Sequence, residues 1–495
     1  MPNAMKPSDT AIVIGSGIGG LSSAVILATL GFNVTVVEKN QRPGGMLRSF
    51  VRKGVHCNVG LHYLGALDRG QILRRCFDFL GITDQLPLER MGHNAPVDRY
   101  YFANAINGPD QFDMPVGLDA YESHLMDAFP AEKKPIRTFM EQLRANAAEF
   151  HRLDFLYNPR PMANLIEQTE PLWTFLDRAG CSPGLKSVIS VPSVWIGVPA
   201  DQCPLFYHTM ILASYLFSAW RLKSSGAHLV DVLQQRLMAL GGKLVTGRAV
   251  QRIDIHKGQV QGVTLDNGEP VAAANVIAAI HPKIVLDLLA PEDVKPSYRR
   301  RITALKDTDG MFSAHALVPR NGHQAIPHNI FSVRTTPNGA VDDVIYVQLR
   351  PCERPGYLLL SLLTSGHDAL WQPWQHTRSG QRGEAYKRLK QSLAHRMIRQ
   401  VEPITGPYNE LELLDVYTPL SIRDWVNSPQ GSAYGVMRSS RQLLSAAALN
   451  RTAVQGLYLA GQSIMAPGVL GTILGSLATT KFMIGPERFR REIQL

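Results

Sequence analysis

Near the start of the chain, Gly15-Ser16-Gly17-Ile18-Gly19-Gly20 has the spacing that holds a pyrophosphate, and Glu38 follows at a distance that suits a ribose hydroxyl. Gly15 permits a tight turn, Gly17 lets a phosphate approach the backbone, and Gly20 lets a helix sit close to a strand. Free N–H groups and a partial positive charge at the start of such a helix favour the phosphates. The chemistry in prospect is the binding of a dinucleotide. A glycine-rich turn with no ligand is the alternative, and the flanking elements weigh against it. Ala11 to Ile14 reads as an apolar strand, a helical run follows to about Leu30, and Asn33 to Val37 reads as a second strand ending on Glu38.

Two more glycine blocks bear on which dinucleotide this is. The first is Arg42-Pro43-Gly44-Gly45-Met46, where adjacent glycines let backbone pass close to a bulky ligand. The second lies near the other end. Gly456-Leu457-Tyr458-Leu459-Ala460-Gly461-Gln462-Ser463 leads into Ala466-Pro467-Gly468-Val469-Leu470-Gly471-Thr472-Ile473-Leu474-Gly475. A membrane helix is the other reading of this second block, but Lys481 interrupts it and the apolar run is short. Together with the first fingerprint, the blocks resemble those of the large FAD-dependent oxidoreductase superfamily of amine oxidases, carotenoid desaturases and retinol saturases.

The resemblance narrows at Gly54-Val55-His56-Cys57-Asn58-Val59-Gly60-Leu61-His62-Tyr63-Leu64-Gly65, which is similar to a signature of retinol saturases and carotenoid isomerases. Tyr417-Thr418-Pro419-Leu420-Ser421 and Gly431-Ser432-Ala433-Tyr434-Gly435 resemble another block of that group, as does Ala460-Gly461-Gln462. Two departures count against an amine oxidase: Met46 stands where arginine is common, and Gln462 stands where an acid is common. Glutamine can still donate and accept hydrogen bonds.

The resemblance implies an α/β fold, with a Rossmann-type FAD-binding domain assembled from discontinuous segments plus an α+β substrate-binding domain. The first would take residues 8–70, 226–304 and 413–495, the second residues 71–225 and 305–412. It also implies FAD as cofactor, held by Gly15, Gly17, Ile18, Gly19, Gly20, Glu38, Lys39, Gly44, Gly45, Met46, Leu61, His62, Val250, Gly461, Gln462, Gly468, Val469 and Leu470. Val250 would meet the adenine through its backbone. Asp415, Arg423 and Tyr434 would line the cleft.

The residue patterns supply the elements. His228 to Leu240 has helical apolar spacing and stops at Gly241-Gly242. Lys243 to Val245, Ala249 to Ile255, Val260 to Leu265 and Asn275 to Ile280 read as strands, with turns at Lys257-Gly258 and Asn267-Gly268. The first insertion reads as helical. The second reads as strand-rich, with Phe312 to Val318, Val344 to Leu349 and Tyr357 to Thr364. Met210 to Trp220 is too short to span a bilayer, so it reads as a core helix, a wall of an apolar tunnel or an interfacial patch.

A chain of 495 residues exceeds one simple core, and 45% apolar with 19% charged residues suits a folded protein. The five cysteines are scattered and form no C-x-x-C pair, so neither a metal site nor a disulfide framework is expected and a reducing cytoplasm fits. No secretory apolar segment is expected before the first strand. The formal charge of +10 admits a solvated basic surface or peripheral contact with an anionic membrane. No recognition motif supports nucleic acid.

The function these readings converge on is saturation, desaturation or cis–trans isomerisation of carbon–carbon double bonds in a lipophilic polyene or isoprenoid. Hydride exchange with the flavin needs close contact and exclusion of water. Saturation also needs a proton, and His62 and Tyr63 are the candidates to deliver or relay it, against a purely packing role for both. His281, His315 and His328 read as ordinary. No second dinucleotide fingerprint is present, so electrons would come from or go to oxygen, a quinone or a separate reductase. A flavin amine oxidase and a non-enzymatic lipid- or prenyl-binding protein of the same fold remain as alternatives.

Overall fold

The computed structural model describes residues 9–104, 108–157 and 168–495; residue 8, where the first expected segment begins, lies outside them, as do parts of the first insertion. A five-stranded parallel sheet runs in the order Lys243–Thr246, Asn33–Glu38, Thr10–Ile14, Asn275–Ala278, Leu457–Leu459. Segments from the beginning, middle and end of the sequence thus share one sheet. Both faces are covered, as a parallel sheet requires. Ala11 and Val13 pack among the helices Ile18–Thr29, Gly226–Ala239 and Gly468–Ile484. Ile12 and Ile14 face the other way, onto an antiparallel sheet of Val250–His256, Gln259–Leu265 and Pro270–Ala272. This is the period of two expected of a strand. At the first turn of that small sheet, Lys257 and Gly258 both have positive φ, +50° and +76°, which suits a tight hairpin.

The second layer system is a seven-stranded sheet in the order Glu412–Tyr417, Met311–Pro319, Tyr357–Ser365, Val341–Pro351, Asn329–Thr335, Asp98–Phe102, Gln111–Met114. One face, with Ile330, Ile345 and Val347, packs on the helix Gly383–Thr405. The other, with Phe331, Val333 and Tyr346, packs on a helical group that includes Lys133–Arg152 and Leu205–Phe217. The α/β class and the mixed second region therefore hold.

The first insertion is not purely helical. Asp98–Phe102 alternates buried and half-buried residues, and its aromatic content favours the pleated conformation, so it joins the sheet beside Asn329–Thr335. The apolar run from Met210 to Trp220 is not one element. Its helix ends at Phe217, Ser218 is extended, and Ala219–Leu222 is a strand. Among the described residues no helix is long and apolar enough to cross a membrane.

Candidate active site

Three glycine blocks meet at one place. Gly15, at φ +94°, turns the chain out of the first strand, and its N–H donates to the Val37 carbonyl at 2.8 Å. A Cβ on Gly20 would overlap the Gly15 carbonyl oxygen, which explains why no side chain fits there. A Cβ on Gly45 would sit 3.2 Å from the Gly17 Cα, and one on Gly19 would sit 2.6 Å from the Gly461 Cα. Gly44, at φ +120°, donates its N–H to the Ser16 carbonyl at 3.1 Å.

Glu38 is buried at the end of the second strand, 6% exposed. One carboxylate oxygen accepts from Ser16 N at 3.0 Å and Ser16 Oγ at 2.6 Å. The other accepts from Asn40 N at 2.9 Å and Asn40 Nδ2 at 2.7 Å. The side chains of Ser16 and Asn40 are the donors that can yield to a ribose hydroxyl.

A channel of about 290 Å³ runs through this cradle. Of the residues expected to hold a flavin, Gly15, Gly17, Ile18, Gly19, Glu38, Lys39, Gly45, Met46, His62, Val250, Gly461, Gln462, Gly468 and Val469 line it. Gly20 and Gly44 lie behind its wall, and Leu61 and Leu470 line the neighbouring cavity. The helices Ile18–Thr29 and Gly468–Ile484 begin here with no side chain capping their first N–H groups. Those N–H groups are free for anionic oxygens. The acid at the ribose end, the uncapped helix starts and the bare glycine backbone fit FAD. Arg438, fully enclosed, holds the turn after Gly461 through the carbonyls of Ser463 and Ile464.

A second cavity of about 690 Å³ joins the channel. His62, Met311, Leu363, Tyr434 and Val469 line both. Its walls are mostly aromatic and aliphatic, among them Trp195, Phe206, Met210, Ile211, Tyr215 and Phe331. The segment around Met210 is thus both core helix and cavity wall.

His62 stands at the junction. Its ring lies 5.0 Å from that of Tyr346, and its buried Nε2 has no hydrogen-bond partner among the described residues. Burial, with His315 and Arg350 nearby, pushes its pKa down to about 4, so the imidazole is neutral. Tyr63 lines the larger cavity only, with its ring 4.5 Å from Tyr215 and 6.2 Å from Trp195. Its hydroxyl donates to Asp98 Oδ2 at 3.1 Å. Asp98 is fully buried and also accepts from Asn329 Nδ2 at 2.7 Å. Asn329 Oδ1 in turn accepts from Tyr346 Oη and Gln348 Nε2, each at 3.0 Å. Desolvation pushes the Asp98 carboxyl up to about 7, against the hydrogen bonds of Asn329 and Tyr63.

Asp98 and Asn329 were not identifiable from the sequence, because they meet only through the parallel pairing of two distant strands. The one local signal was an acid at an inward position of an alternating strand. Asp415 and Arg423 do not line either cavity. Asp415 pairs with Arg52 at 2.6 Å, and Arg423 is tied to Asp424 and to the Gln375 carbonyl. Tyr434 does line both. His315 is buried between Ser313 and Ser361, and His281 bonds Asp307 at 3.0 Å. Among the described residues no group of three or more His, Cys, Asp or Glu side chains is placed to hold a metal ion.

The sequence model of the flavin containing amine oxidoreductase family matches residues 18–476. The all-trans-retinol 13,14-reductase of Danio rerio is 24% identical, over 94% of this chain and 84% of the relative. The all-trans-zeta-carotene desaturase of Myxococcus xanthus is 24% identical, over 94% and 91%. Prolycopene isomerase 1 of an Oncidium hybrid cultivar is 27% identical, over 92% and 80%. Among solved structures, an oxidoreductase from Methanosarcina mazei shares the fold with a TM-score of 0.64 at 18% identity, covering 95% of this chain and 100% of that one.

Proposed function

The chain belongs to the flavin containing amine oxidoreductase family and is an FAD-dependent oxidoreductase, and from that premise we propose that it acts on carbon–carbon double bonds of a lipophilic polyene or isoprenoid. The observation that carries this reading is the junction of a largely apolar, aromatic-walled cavity with the cofactor channel at His62. The relatives named for retinol, zeta-carotene and prolycopene act on molecules of this kind, as reductase, desaturase and isomerase. The side chains common to both cavities carry no formal charge once His62 is neutral, which suits an uncharged polyene at the junction; the charged residues of the larger cavity's lining are Glu149, Asp309, Asp342 and Asp343.

Bound FAD supplies hydride exchange with a substrate carbon. The chain's residues do the rest. Gly17, Gly45 and Gly461 bring backbone close to the cofactor, and Glu38 holds its ribose. Trp195, Tyr215, Phe331 and Tyr346 exclude water from the reacting end of the cavity and orient a flat conjugated chain. Neutral His62 cannot donate from a cationic form near neutral pH, whereas Tyr63 Oη sits within the cavity wall on a hydrogen bond and can hold or move a proton. Electrons are exchanged with an external partner, oxygen, a quinone or a reductase. The basic surface suits peripheral contact with an anionic membrane, where such substrates dissolve.

The test is an anaerobic absorbance spectrum of the FAD-loaded protein during photoreduction with retinol or a carotenoid. A flavin spectrum followed by a shift of the polyene bands supports the reading. A flavin spectrum with unchanged polyene, together with peroxide formation from an amine, overturns it.

A further inference from the structure

Building on the double-bond reading of the site, we propose that Asp98 acts through Tyr63 as a buried proton store, so that the pair moves the proton that accompanies hydride exchange. The geometry is specific. Tyr63 Oη and Asp98 Oδ2 lie 3.1 Å apart, and Tyr63 is in the cavity wall while Asp98 is sealed behind it. Asn329 fixes the other carboxyl oxygen at 2.7 Å and is itself held by Tyr346 and Gln348. A carboxyl group held this firmly has two states on one line. As carboxylate it accepts the Tyr63 hydrogen. As carboxylic acid it donates along the same 3.1 Å vector, and the phenolic hydrogen is released to point into the cavity.

In the direction of saturation, one carbon of the double bond gains a hydride from the reduced flavin. The neighbouring carbon gains a proton as the Tyr63 O–H bond breaks. The Asp98 proton passes to the phenolate oxygen, leaving a carboxylate that later takes a proton from water. Desaturation runs the same transfers backwards, with the carboxylate as final acceptor. No step needs a reagent other than the substrate, the flavin and water.

The groups around Asp98 suit a carboxyl that changes state near neutrality. Tyr63, Tyr100, Tyr215 and Tyr346 surround it as neutral phenols, and each is held above its usual range by burial. Arg221 favours the carboxylate without touching it; its own hydrogen bond runs to the Pro327 carbonyl at 2.8 Å. Arg350 and neutral His328 lie within electrostatic reach of Arg221. Burial outweighs these influences and brings the carboxyl to about 7.

Infrared difference spectra of the purified holoenzyme across pH 5–9 read this group without any substrate. The expected result is a carboxylic acid C=O band that titrates near neutrality, disappears in Asp98→Asn and titrates at higher pH in Tyr63→Phe, which removes a bond favouring the carboxylate. A band absent from the wild type, or unchanged in Asp98→Asn, overturns the proton store. In single turnover of the reduced holoenzyme with a polyene, Asp98→Asn and Tyr63→Phe are expected to slow protonation by about 10²–10⁴-fold, and Asp98→Asn to flatten the pH profile, with FAD content unchanged. A profile unchanged in Asp98→Asn overturns the transfer role. Failure of the wild type to turn over any polyene overturns the substrate reading, and with it the transfer step, whatever the infrared band shows.

Discussion

Gly19 and Gly461 come from opposite ends of the chain, and a Cβ on the first would lie 2.6 Å from the Cα of the second. Nothing but backbone separates the first helix from the turn that follows the last strand of the sheet. Gly19→Ala would therefore push the two apart where the cofactor channel passes between them. Overpacking of this kind costs about 1–3 kcal/mol. The expected outcome is a lower melting temperature and a purified protein with less bound flavin, read from its visible absorbance. Full flavin content at unchanged stability would contradict the close approach.

Glu38 presents a different sensitivity. Its two oxygens satisfy four donors from Ser16 and Asn40. Glu38→Ala strands the two buried donors of Ser16, each worth about 1–3 kcal/mol when left unmet, and also removes the acceptor proposed for the ribose. FAD affinity and apoprotein stability should fall together. Glu38→Gln keeps one oxygen as an acceptor and should fall between the two, by titration with FAD and by thermal unfolding.

The larger cavity can be narrowed without touching the cradle. Ile211 lines its wall on the helix Leu205–Phe217 and takes no part in the channel. Ile211→Trp is expected to leave the flavin spectrum intact and reduce kcat/KM for a long polyene by roughly 10–200-fold, with a shorter polyene affected less. Equal losses for both would place the substrate elsewhere.

Stability should respond to pH in two opposed ways. His62, His208 and His315 are pushed by burial to about 4, 3 and 4. Between those values and the ordinary histidine pKa of about 6.5, the unfolded chain binds more protons, so stability falls as pH drops through that window. Asp98 has the opposite sign. Its pKa is raised to about 7 in the fold, so its burial costs nothing below the ordinary carboxyl range and its full cost appears above 7. Asp98→Asn should therefore gain melting temperature relative to the wild type between about pH 4 and 7 and keep that gain above it. A constant difference across this range would count against the raised carboxyl.

Thiol labelling offers a simple check on the packing. Cys57, Cys76, Cys181 and Cys203 are buried, and burial pushes each thiol up, to about 12 for the first three. Cys352 is the half-exposed one. A native protein should react once per chain with a thiol reagent, at Cys352, and five times after denaturation. Cys352→Ser should bring the native count to zero.

The meeting of the glycine blocks was legible in sequence because it is made of backbone. Gly15, Gly20, Gly44 and Gly45 are required by turns and close approaches, and such requirements leave glycines at readable spacings. Glu38 was legible because it ends a strand at a standard distance from the turn. The strand Asp98–Phe102 was hidden inside an insertion dominated by helices, where only short strands such as Gln111–Met114 and Ala219–Leu222 accompany it. The Asp98–Asn329 contact depends on the register of two strands far apart in the chain, and no local pattern encodes a register. Asp415 and Arg423 show the converse: residues beside a resembling block turn to neighbours of their own, here Arg52 and Asp424.

The meeting of Gly19 with Gly461 also sets an order of events during translation. The fingerprint turn and the Gly44-Gly45 pair leave the ribosome well before the wall they face, which belongs to a segment far downstream. A nascent chain arrested before Leu457–Leu459 has neither the fifth strand of the sheet nor the helix that begins at Gly468. A complete flavin cradle therefore needs both segments, so holoenzyme cannot form before synthesis has passed the helix that begins at Gly468.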